Sequence, residues 1–318
     1  MRYFVTGCAG FIGSHLTERL LSAGHAVVGY DNFATGQECF LEAATRSNNF
    51  RLVRGDVLDP ASLRSGMQGS EFVIHLAANA DVRFGTEHPR RDLEQNTLAT
   101  HAVLEAMREN QIRKIAFASS GSVYGDPAVF PTPEEAPFPV QTSLYGASKA
   151  AGEGLIGAYC AGFGFQAHIF RFVSILGERY THGHIFDFYK QLTRDPRRLR
   201  VQGDGRQRKS YLYVHDCIEA MMTALEKAQQ AVNIFNLGGQ DYCEVRQSIG
   251  WICENLRVTP AIEYGTGDRG WAGDSPFVLL DTAKIRATGW SPRVAIRDGV
   301  LKTLEYLKAN QHLLESRR

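Results

Sequence analysis

Thr6-Gly7-Cys8-Ala9-Gly10-Phe11-Ile12-Gly13 is the stretch on which the reading of this chain turns. It follows Arg2-Tyr3-Phe4-Val5, a short apolar run that predicts a buried strand. It precedes Phe11, Ile12, Leu16, Leu20 and Leu21, which recur at helical spacing until Gly24 can close the helix. Glycines three apart in that context allow a tight turn and let backbone approach a pyrophosphate. The following helix offers free N–H groups and the positive end of its dipole. A second strand, Ala26–Tyr30, ends at Asp31. A carboxylate there can accept both ribose hydroxyls of an adenosine half and would repel a 2′-phosphate, so NAD is favoured over NADP. Gly55-Asp56-Val57 ends a third strand and offers Asp56 to an adenine amino group.

Working outward, further strands are expected at Phe50–Arg54, Glu71–Leu76, Lys114–Ala118 and Gln166–Phe172. Helices are expected near Ala61–Met67, Asp92–Glu109 and Ser143–Tyr159. Strands alternating with helices imply a doubly wound parallel sheet of Rossmann type, covered on both faces and with right-handed crossovers. After about Val173 the alternation breaks down into segments such as Asp195-Pro196-Arg197-Arg198 and Gly203-Asp204-Gly205. A helix and strand pattern returns over Tyr211–Leu237, and irregular sequence resumes from Gln240 to Trp290. The expected organisation is an NAD-binding unit from residues 1–172 and 211–238. A smaller, discontinuous α+β unit, residues 173–210 and 239–318, would bind the substrate.

Composition narrows the classes. The chain has 318 residues, 44% hydrophobic and 22% charged, enough for a sizeable core and unlike a disordered chain. Its 35 basic and 34 acidic residues leave a formal charge of +1, which removes the usual electrostatic reason to expect nucleic acid or a membrane as partner. The six cysteines, at 8, 39, 160, 217, 243 and 253, form no Cys-x-x-Cys pair, so no metal site is expected and free thiols in a reducing compartment are. Nothing near Met1 has the apolar length of a signal peptide or membrane span, and the expected location is the cytoplasm.

Tyr145-Gly146-Ala147-Ser148-Lys149 places a phenol and an ammonium at i and i+4, on one face of a helix. Bringing a tyrosine from its ordinary value near 10 to about 7 takes roughly 4 kcal/mol. One positive charge at about 4 Å in an effective dielectric near 20 supplies a similar amount. Lys149 plus an oxidised nicotinamide would thus make Tyr145 a working base. The fifth strand runs into Ala118-Ser119-Ser120-Gly121-Ser122-Val123-Tyr124-Gly125, at the strand ends where open α/β sheets carry their sites. Ser120 or Ser122 could bond a sugar hydroxyl beside the tyrosine.

Together these residues resemble the extended short-chain dehydrogenase/reductase superfamily, in its nucleotide-sugar epimerase/dehydratase branch and nearest its UDP-glucose 4-epimerases. The similarity runs nearly end to end. It continues through His75-Leu76-Ala77-Ala78, Pro133-Glu134-Glu135, Tyr213-Val214-His215-Asp216, Asn236-Leu237-Gly238, Gly273-Asp274 and Gly289-Trp290. The resemblance implies that NAD is lined by Gly7, Gly10, Phe11, Ile12, Gly13, Asp31, Asn32, Thr35, Gly36, Asp56, Val57, Leu76, Ala77, Ala78, Asn96 and Ala118, with Tyr145 and Lys149. It implies a substrate held by Ser120, Ser122, Tyr145, Ser174, His184, Val201, Lys209, Tyr211, Arg269 and Asp274. In the implied reaction Tyr145 takes the proton from the sugar O4 as hydride leaves C4 for NAD. Ser120 holds the oxygen, the keto sugar turns, and hydride returns to its other face. The substrate would be a UDP-sugar and the enzyme a homodimer, pairing the Tyr145 helix with the one before it; Leu155, Ile156 and Tyr159 face either the partner or the sheet.

Departures from the family pattern carry information. Dehydratases and decarboxylases of the branch hold carboxylates where this chain has Gly121 and Ser122, so elimination is disfavoured and 4-epimerisation preferred. The alternatives are a 2-epimerase, a UDP-glucuronate epimerase or decarboxylase, or a dehydratase. A regulator that has lost chemistry would tend to have lost Tyr145 or Lys149, and a net oxidoreductase would consume free cofactor. Ser174 and Lys209 stand where the family usually has Asn and Arg, with Arg206 or Arg208 as possible compensation for Lys209. The spacer Gly270-Trp271-Ala272 after Arg269 is longer than usual. Val278, where a bulky aromatic marks strictness for glucose and galactose, implies room for a 2-acetamido group. His182 and His184 fall where the family binds the base.

Overall fold

The computed structural model describes residues 1–138 and 140–315. β1 (Arg2–Thr6) leads through the glycine loop into α1 (Phe11–Ser22). Then come β2 (Ala26–Asp31), the single turn α2 (Glu42–Thr45), β3 (Phe50–Arg54), α3 (Pro60–Met67) and β4 (Phe72–His75). α4 (Val82–Glu87), α5 (Pro89–Asp92), a π-helical stretch over Leu93–Leu98 and α6 (Ala99–Glu109) precede β5 (Lys114–Ser120). α7 (Leu144–Phe163), β6 (Gln166–Phe172), β7 (Ser174–Leu176) and α8 (His184–Arg194) follow. Next are β8 (Arg198–Val201), β9 (Arg208–Lys209), β10 (Tyr211–Tyr213), α9 (Val214–Lys227) and β11 (Val232–Leu237). The chain closes with β12 (Cys243–Glu244), α10 (Val245–Leu256), β13 (Ala261–Tyr264), β14 (Phe277–Val278), α11 (Ala283–Arg286) and α12 (Ile296–Ala309).

The apolar runs of the first half assemble one sheet in the order β11-β6-β5-β4-β1-β2-β3, with every neighbouring pair parallel. Leu16 and Leu20 of α1, with Ile218, Met221 and Ala224 of α9, cover one face. Leu63 and Met67 of α3, Val103, Leu104 and Met107 of α6, and Ile156, Tyr159 and Cys160 of α7 cover the other. Each fully buried Leu, Ile or Met among them contributes about 1.5–3 kcal/mol. Strand order reverses between β1 and β4, so the loops that leave these strands part and open a crevice at their C-terminal ends. This is the doubly wound Rossmann architecture that the alternation predicts.

Two expectations need correction, and one open alternative is decided. The helix expected over Asp92–Glu109 is divided, since α5 gives way to the π stretch before α6 begins. The stretches read as irregular after Val173 and after Gln240 contain two long helices, α8 and α10. Ile185, Phe188, Tyr189 and Leu192 make the buried face of α8, and Val245, Ser248, Ile249 and Ile252 that of α10. With α12 they enclose a third core cluster. Of the two readings open for Leu155, Ile156 and Tyr159, the sheet-facing one holds: Ile156 and Tyr159 are buried in the core under the sheet and Leu155 packs against the same cluster.

Behind the crevice lies a buried polar network. Arg171 on β6 and Glu153 on α7 have side chains only 3% and 6% exposed. Arg171 Nη2 donates to Glu153 Oε2 at 2.7 Å and Nε to Oε1 at 3.0 Å. Its Nη1 donates to the Tyr124 hydroxyl at 2.7 Å and the Glu134 carbonyl at 2.9 Å. Tyr124 in turn donates to Asn236 Oδ1 at 2.8 Å. Glu153→Gln leaves a buried guanidinium without its countercharge, and the expected cost is about 3–5 kcal/mol. Urea unfolding followed by circular dichroism measures it; a loss below about 1 kcal/mol would mean that water already reaches the pair.

Candidate active site

The glycine loop is built by close approach of backbone to backbone. Gly7 has φ +73°, its N–H donates to the Tyr30 carbonyl at 2.8 Å, and a Cβ there would stand 2.8 Å from the Ala77 nitrogen. A Cβ at Gly13 would run into the Gly7 carbonyl oxygen. Gly10 N-caps α1, and no side chain caps that helix, so its first N–H groups stay available to an anion. Asp31, at the end of β2, is buried. Its Oδ2 accepts from the Ala9 N–H at 2.9 Å and Oδ1 from the Phe33 N–H at 2.8 Å. Burial pushes this carboxyl up while the two N–H groups pull it down. Asp31 therefore clamps the glycine loop as well as facing the crevice, and Gly36 lies so close that a Cβ would be 2.9 Å from its Oδ1.

The other residues expected at a cofactor are distributed around this loop. Asn32 donates to Asp56 Oδ2 at 3.0 Å, while Thr35 is exposed. Val57 sits in the core on one face of the sheet, Ile12 packs against the core on the other, and Phe11 meets Tyr180 edge to face with centroids 5.7 Å apart. The Leu76 and Ala77 N–H groups both donate to Thr6 Oγ1 at 3.2 Å, and Ala78 follows half-buried. Asn96 is 2% exposed; its Oδ1 accepts from the Asn79 N–H at 2.8 Å and its Nδ2 donates to Ser148 Oγ at 2.9 Å. Its side chain thus ties the loop after β4 to α7.

Ser120, Tyr145 and Lys149 come together at the end of β5. Ser143 N-caps α7 by accepting from the Gly146 N–H at 3.0 Å. A Cβ at Gly146 would lie 2.6 Å from the Ser122 carbonyl, so the start of α7 rests on the turn that carries Ser120. Ser120 hydrogen-bonds the Tyr145 phenol, and its Oγ donates to Ser122 Oγ at 3.1 Å. Lys149 is buried and donates to the Ala118 carbonyl at 2.8 Å, with Nζ 5.8 Å from the Tyr145 ring centroid. Burial pulls this amine down to about 8. The phenol departs from the expectation, because burial first and then Asp92 push it up to about 12 against the Ser120 hydrogen bond. The ammonium serves a carbonyl and a ring face, so the protein's own groups do not bring Tyr145 to neutrality.

Across the crevice, Lys209 Nζ pairs with Asp274 Oδ1 at 2.6 Å and also donates to the Ser275 carbonyl. Arg269 donates to the Asp274 carbonyl at 2.6 Å and to Asp126 Oδ2 at 2.8 Å. Register pairs Val278 with Lys209 and Phe277 with Arg208, so Lys209 and Val278 share one face of their sheet. Arg208 lies on the opposite face, 3.9 Å from the Phe277 centroid, and Arg206 is exposed. Arg208 nevertheless lines the same opening as Arg269 and Asp126. His184 is held by Ser248 Oγ at 2.8 Å and the Tyr211 hydroxyl at 3.3 Å, and burial pushes it down to about 3, which keeps it neutral. Val201 is a core residue of the smaller cluster, whereas Ser174 is exposed. Sequence reasoning missed Arg83, which pairs with Asp81 at 3.3 Å and with Asp187 of α8 at 3.1 Å. Trp271 faces its guanidinium at 5.8 Å, so the longer spacer after Arg269 reaches α4. Among the described residues no group of His, Cys, Asp or Glu could hold a metal ion. No helix among them is long and apolar enough to cross a membrane.

A Rossmann sheet with this loop, an acid at the end of β2 and a Ser–Tyr–Lys cluster at the end of β5 is the arrangement of a dinucleotide-binding protein. The chain belongs to the NAD dependent epimerase/dehydratase family, whose model matches residues 3–238. It is 32% identical to a UDP-glucose 4-epimerase of Mycolicibacterium smegmatis over 97% of this chain and 99% of that one. It resembles the crystal structure of a UDP-galactose 4-epimerase with TM-score 0.88 and 37% identity, covering 98% of this chain and 99% of that one. A UDP-glucuronic acid 4-epimerase of Bacillus cereus, solved with UDP-glucuronic acid and NAD, gives TM-score 0.89 at 27% identity, covering 98% of this chain and all of that one. NAD is the cofactor of the family, and the side-chain-free cradle at Gly7 and Gly13, the uncapped start of α1 and the Asp31 carboxylate fit it.

Gly13→Ala is expected to abolish NAD retention, because its Cβ displaces the Gly7 carbonyl. Gly24→Ala, where φ is +80° but nothing lies within 4 Å, should cost about 1 kcal/mol of stability and keep the nucleotide. The NAD released from each purified protein by acid, quantified by chromatography, separates the two.

Proposed function

We propose that this chain is a nucleotide-sugar 4-epimerase interconverting UDP-glucose and UDP-galactose, with room for the N-acetylated pair. The observation that carries the reading is the Ser120–Tyr145–Lys149 cluster followed by Gly121 and Ser122, with no carboxylate in that turn. Elimination or decarboxylation needs a second proton carrier beside the sugar, whereas inversion at C4 needs one base that later returns its proton. Similarity to UDP-glucose and UDP-galactose 4-epimerases supports the same choice.

On this reading Ser120 and Tyr145 share the sugar O4, and Tyr145 removes and then restores its proton. NAD, when bound, supplies the hydride acceptor for C4 and a positive ring charge beside the phenol. The glycine loop and Asp31 hold that cofactor, and Lys149 keeps its ammonium at the Ala118 carbonyl next to Tyr145. Lys209 and Arg269 receive the diphosphate and Asp274 the nucleoside ribose. Lys209, Arg269 and Arg83 already face carboxylates, which favours a hexose neutral at C6 over a uronate. Val278 shares the face of Lys209 and is only half-buried, leaving space for a 2-acetamido group. A homodimer belongs to the proposal; Leu93, Leu98 and Phe163 are 52%, 48% and 47% exposed, offering apolar surface on α7 and the stretch before it.

Proton NMR of purified protein with UDP-glucose and no added cofactor should show the galacto product. Tyr145→Phe should lower the rate about 1000-fold. Val278→Tyr should spare UDP-glucose and reduce UDP-N-acetylglucosamine turnover at least about tenfold. No wild-type turnover of either substrate would overturn the reading.

A further inference from the structure

Asp92 ends α5 with its side chain almost wholly enclosed, at 1% exposure. Its Oδ1 accepts from Asn79 Nδ2 at 2.7 Å and from Asn96 Nδ2 at 3.3 Å. Its Oδ2 has no hydrogen-bond partner and lies against Gly85 of α4, where a Cβ would overlap it. A carboxylate so enclosed is costly unless an opposite charge stands near. The cation that acts on it is Lys149, which is itself buried and has the Ala118 carbonyl as its hydrogen-bond acceptor. The two charges thus act on each other through space rather than as an ion pair.

The backbone shows how the arrangement arises. The π stretch begins directly after Asp92 and contains Asn96. Such wide turns re-aim side chains and collect at functional sites. Asn96 reaches Asn79 on one side and Ser148 on the other, and Ser148 Oγ donates to the Tyr145 carbonyl at 2.8 Å. A continuous hydrogen-bonded chain therefore runs from Asp92 through Asn96 and Ser148 to the backbone of the base.

We propose that Asp92 is a positioning residue of the reaction, whose carboxylate holds Asn79 and Asn96 against α7 and whose charge acts on Lys149 and Tyr145. This rests on the Tyr145–Lys149 assignment proposed above. Burial draws Lys149 down while Asp92, and then Glu153, raise it. Burial raises Tyr145, and Asp92 raises it further. Removing the Asp92 charge thus lowers both groups together. The remaining charges around them stay in place. Asp81 is paired with Arg83, Glu153 with Arg171, and Arg90 with Glu94, while His75 on β4 is kept neutral by burial.

Asp92→Asn keeps the size and the accepting oxygen and deletes the charge. The two limbs of a bell-shaped kcat/KM profile report Tyr145 and Lys149. Both limbs should move to lower pH, by about half a unit to one unit. A residue with only a packing role would lower the plateau and leave both limbs in place. Asp92→Glu should hold them at the wild-type positions, and Asp92→Ser, a smaller neutral acceptor, serves the same measurement if the Asn variant does not fold. Tyr145→Phe is measured alongside. If it keeps the wild-type rate, the base assignment has failed. If it is inactive and neutralising Asp92 moves neither limb, the Asp92 proposal alone is overturned.

Discussion

The Arg171 guanidinium, 3% exposed between β6 and α7, has every nitrogen committed, and the placement of α7 follows from it. Tyr145, Lys149 and Glu153 are spaced four apart, on one face of α7. Fixing Glu153 against Arg171 fixes the rotation and height of that helix on the sheet, and so the two residues one and two turns earlier. Ser119 Oγ donates to the same carboxylate at 2.5 Å, so the strand that carries Ser120 is set by the same pair. An apolar substitute of similar volume would seal the space as well and do so more cheaply, since burying two ions costs most of what their attraction returns. What the ion pair adds is a register that a greasy contact would leave free to slide.

The first half of the chain announces its structure because each apolar run is short, is ended by glycine or a polar cluster and, apart from the edge strand Phe50–Arg54, is largely buried. Phe50–Arg54 and Gln166–Phe172 are strands over the residues expected. α8 and α10 escaped because their polar faces and their glycine- and arginine-rich flanks mask a clear helical spacing, and because Gly183 begins α8 at φ +104° with no side-chain cap. The π stretch is illegible for a different reason. Leu93 and Leu98 are both exposed, so no buried periodicity records the wider turn, which is set by tertiary hydrogen bonds from Asn96.

At the site, residue types were legible and their partners were not. A strand–glycine loop–helix order and an i, i+4 tyrosine and lysine are local facts that a sequence displays. The bond from Ala9 to Asp31, the bond between Asp92 and Asn79 and the ion pair of Arg83 with Asp187 depend on which chain segments meet. The state of Tyr145 shows the consequence. A charge count alone predicts a lowered phenol, yet enclosure acts on the same oxygen, and Lys149 points its ammonium at a carbonyl. Burial outweighs a cation that does not reach the phenol.

The two sides of the crevice are joined by contacts of unequal worth, and the difference orders their response to a diphosphate on the proposed reading. Lys209 and Asp274 have side chains 14% and 5% exposed, and Gly270 also donates to Asp274 at 2.9 Å. Arg269 and Asp126 are 37% and 47% exposed, where water screens an ion pair to about 0.2–1 kcal/mol. An arriving anion therefore draws Arg269 away from Asp126 at little cost, while Lys209 meets it from its place beside Asp274. Trp271 lies on the loop between Arg269 and Asp274, and its ring faces Arg83 from the other side of the crevice. The loop is thus held at Asp274 by a buried pair and at Trp271 by a guanidinium across the crevice, and of its contacts the Arg269–Asp126 pair is the one that water screens most.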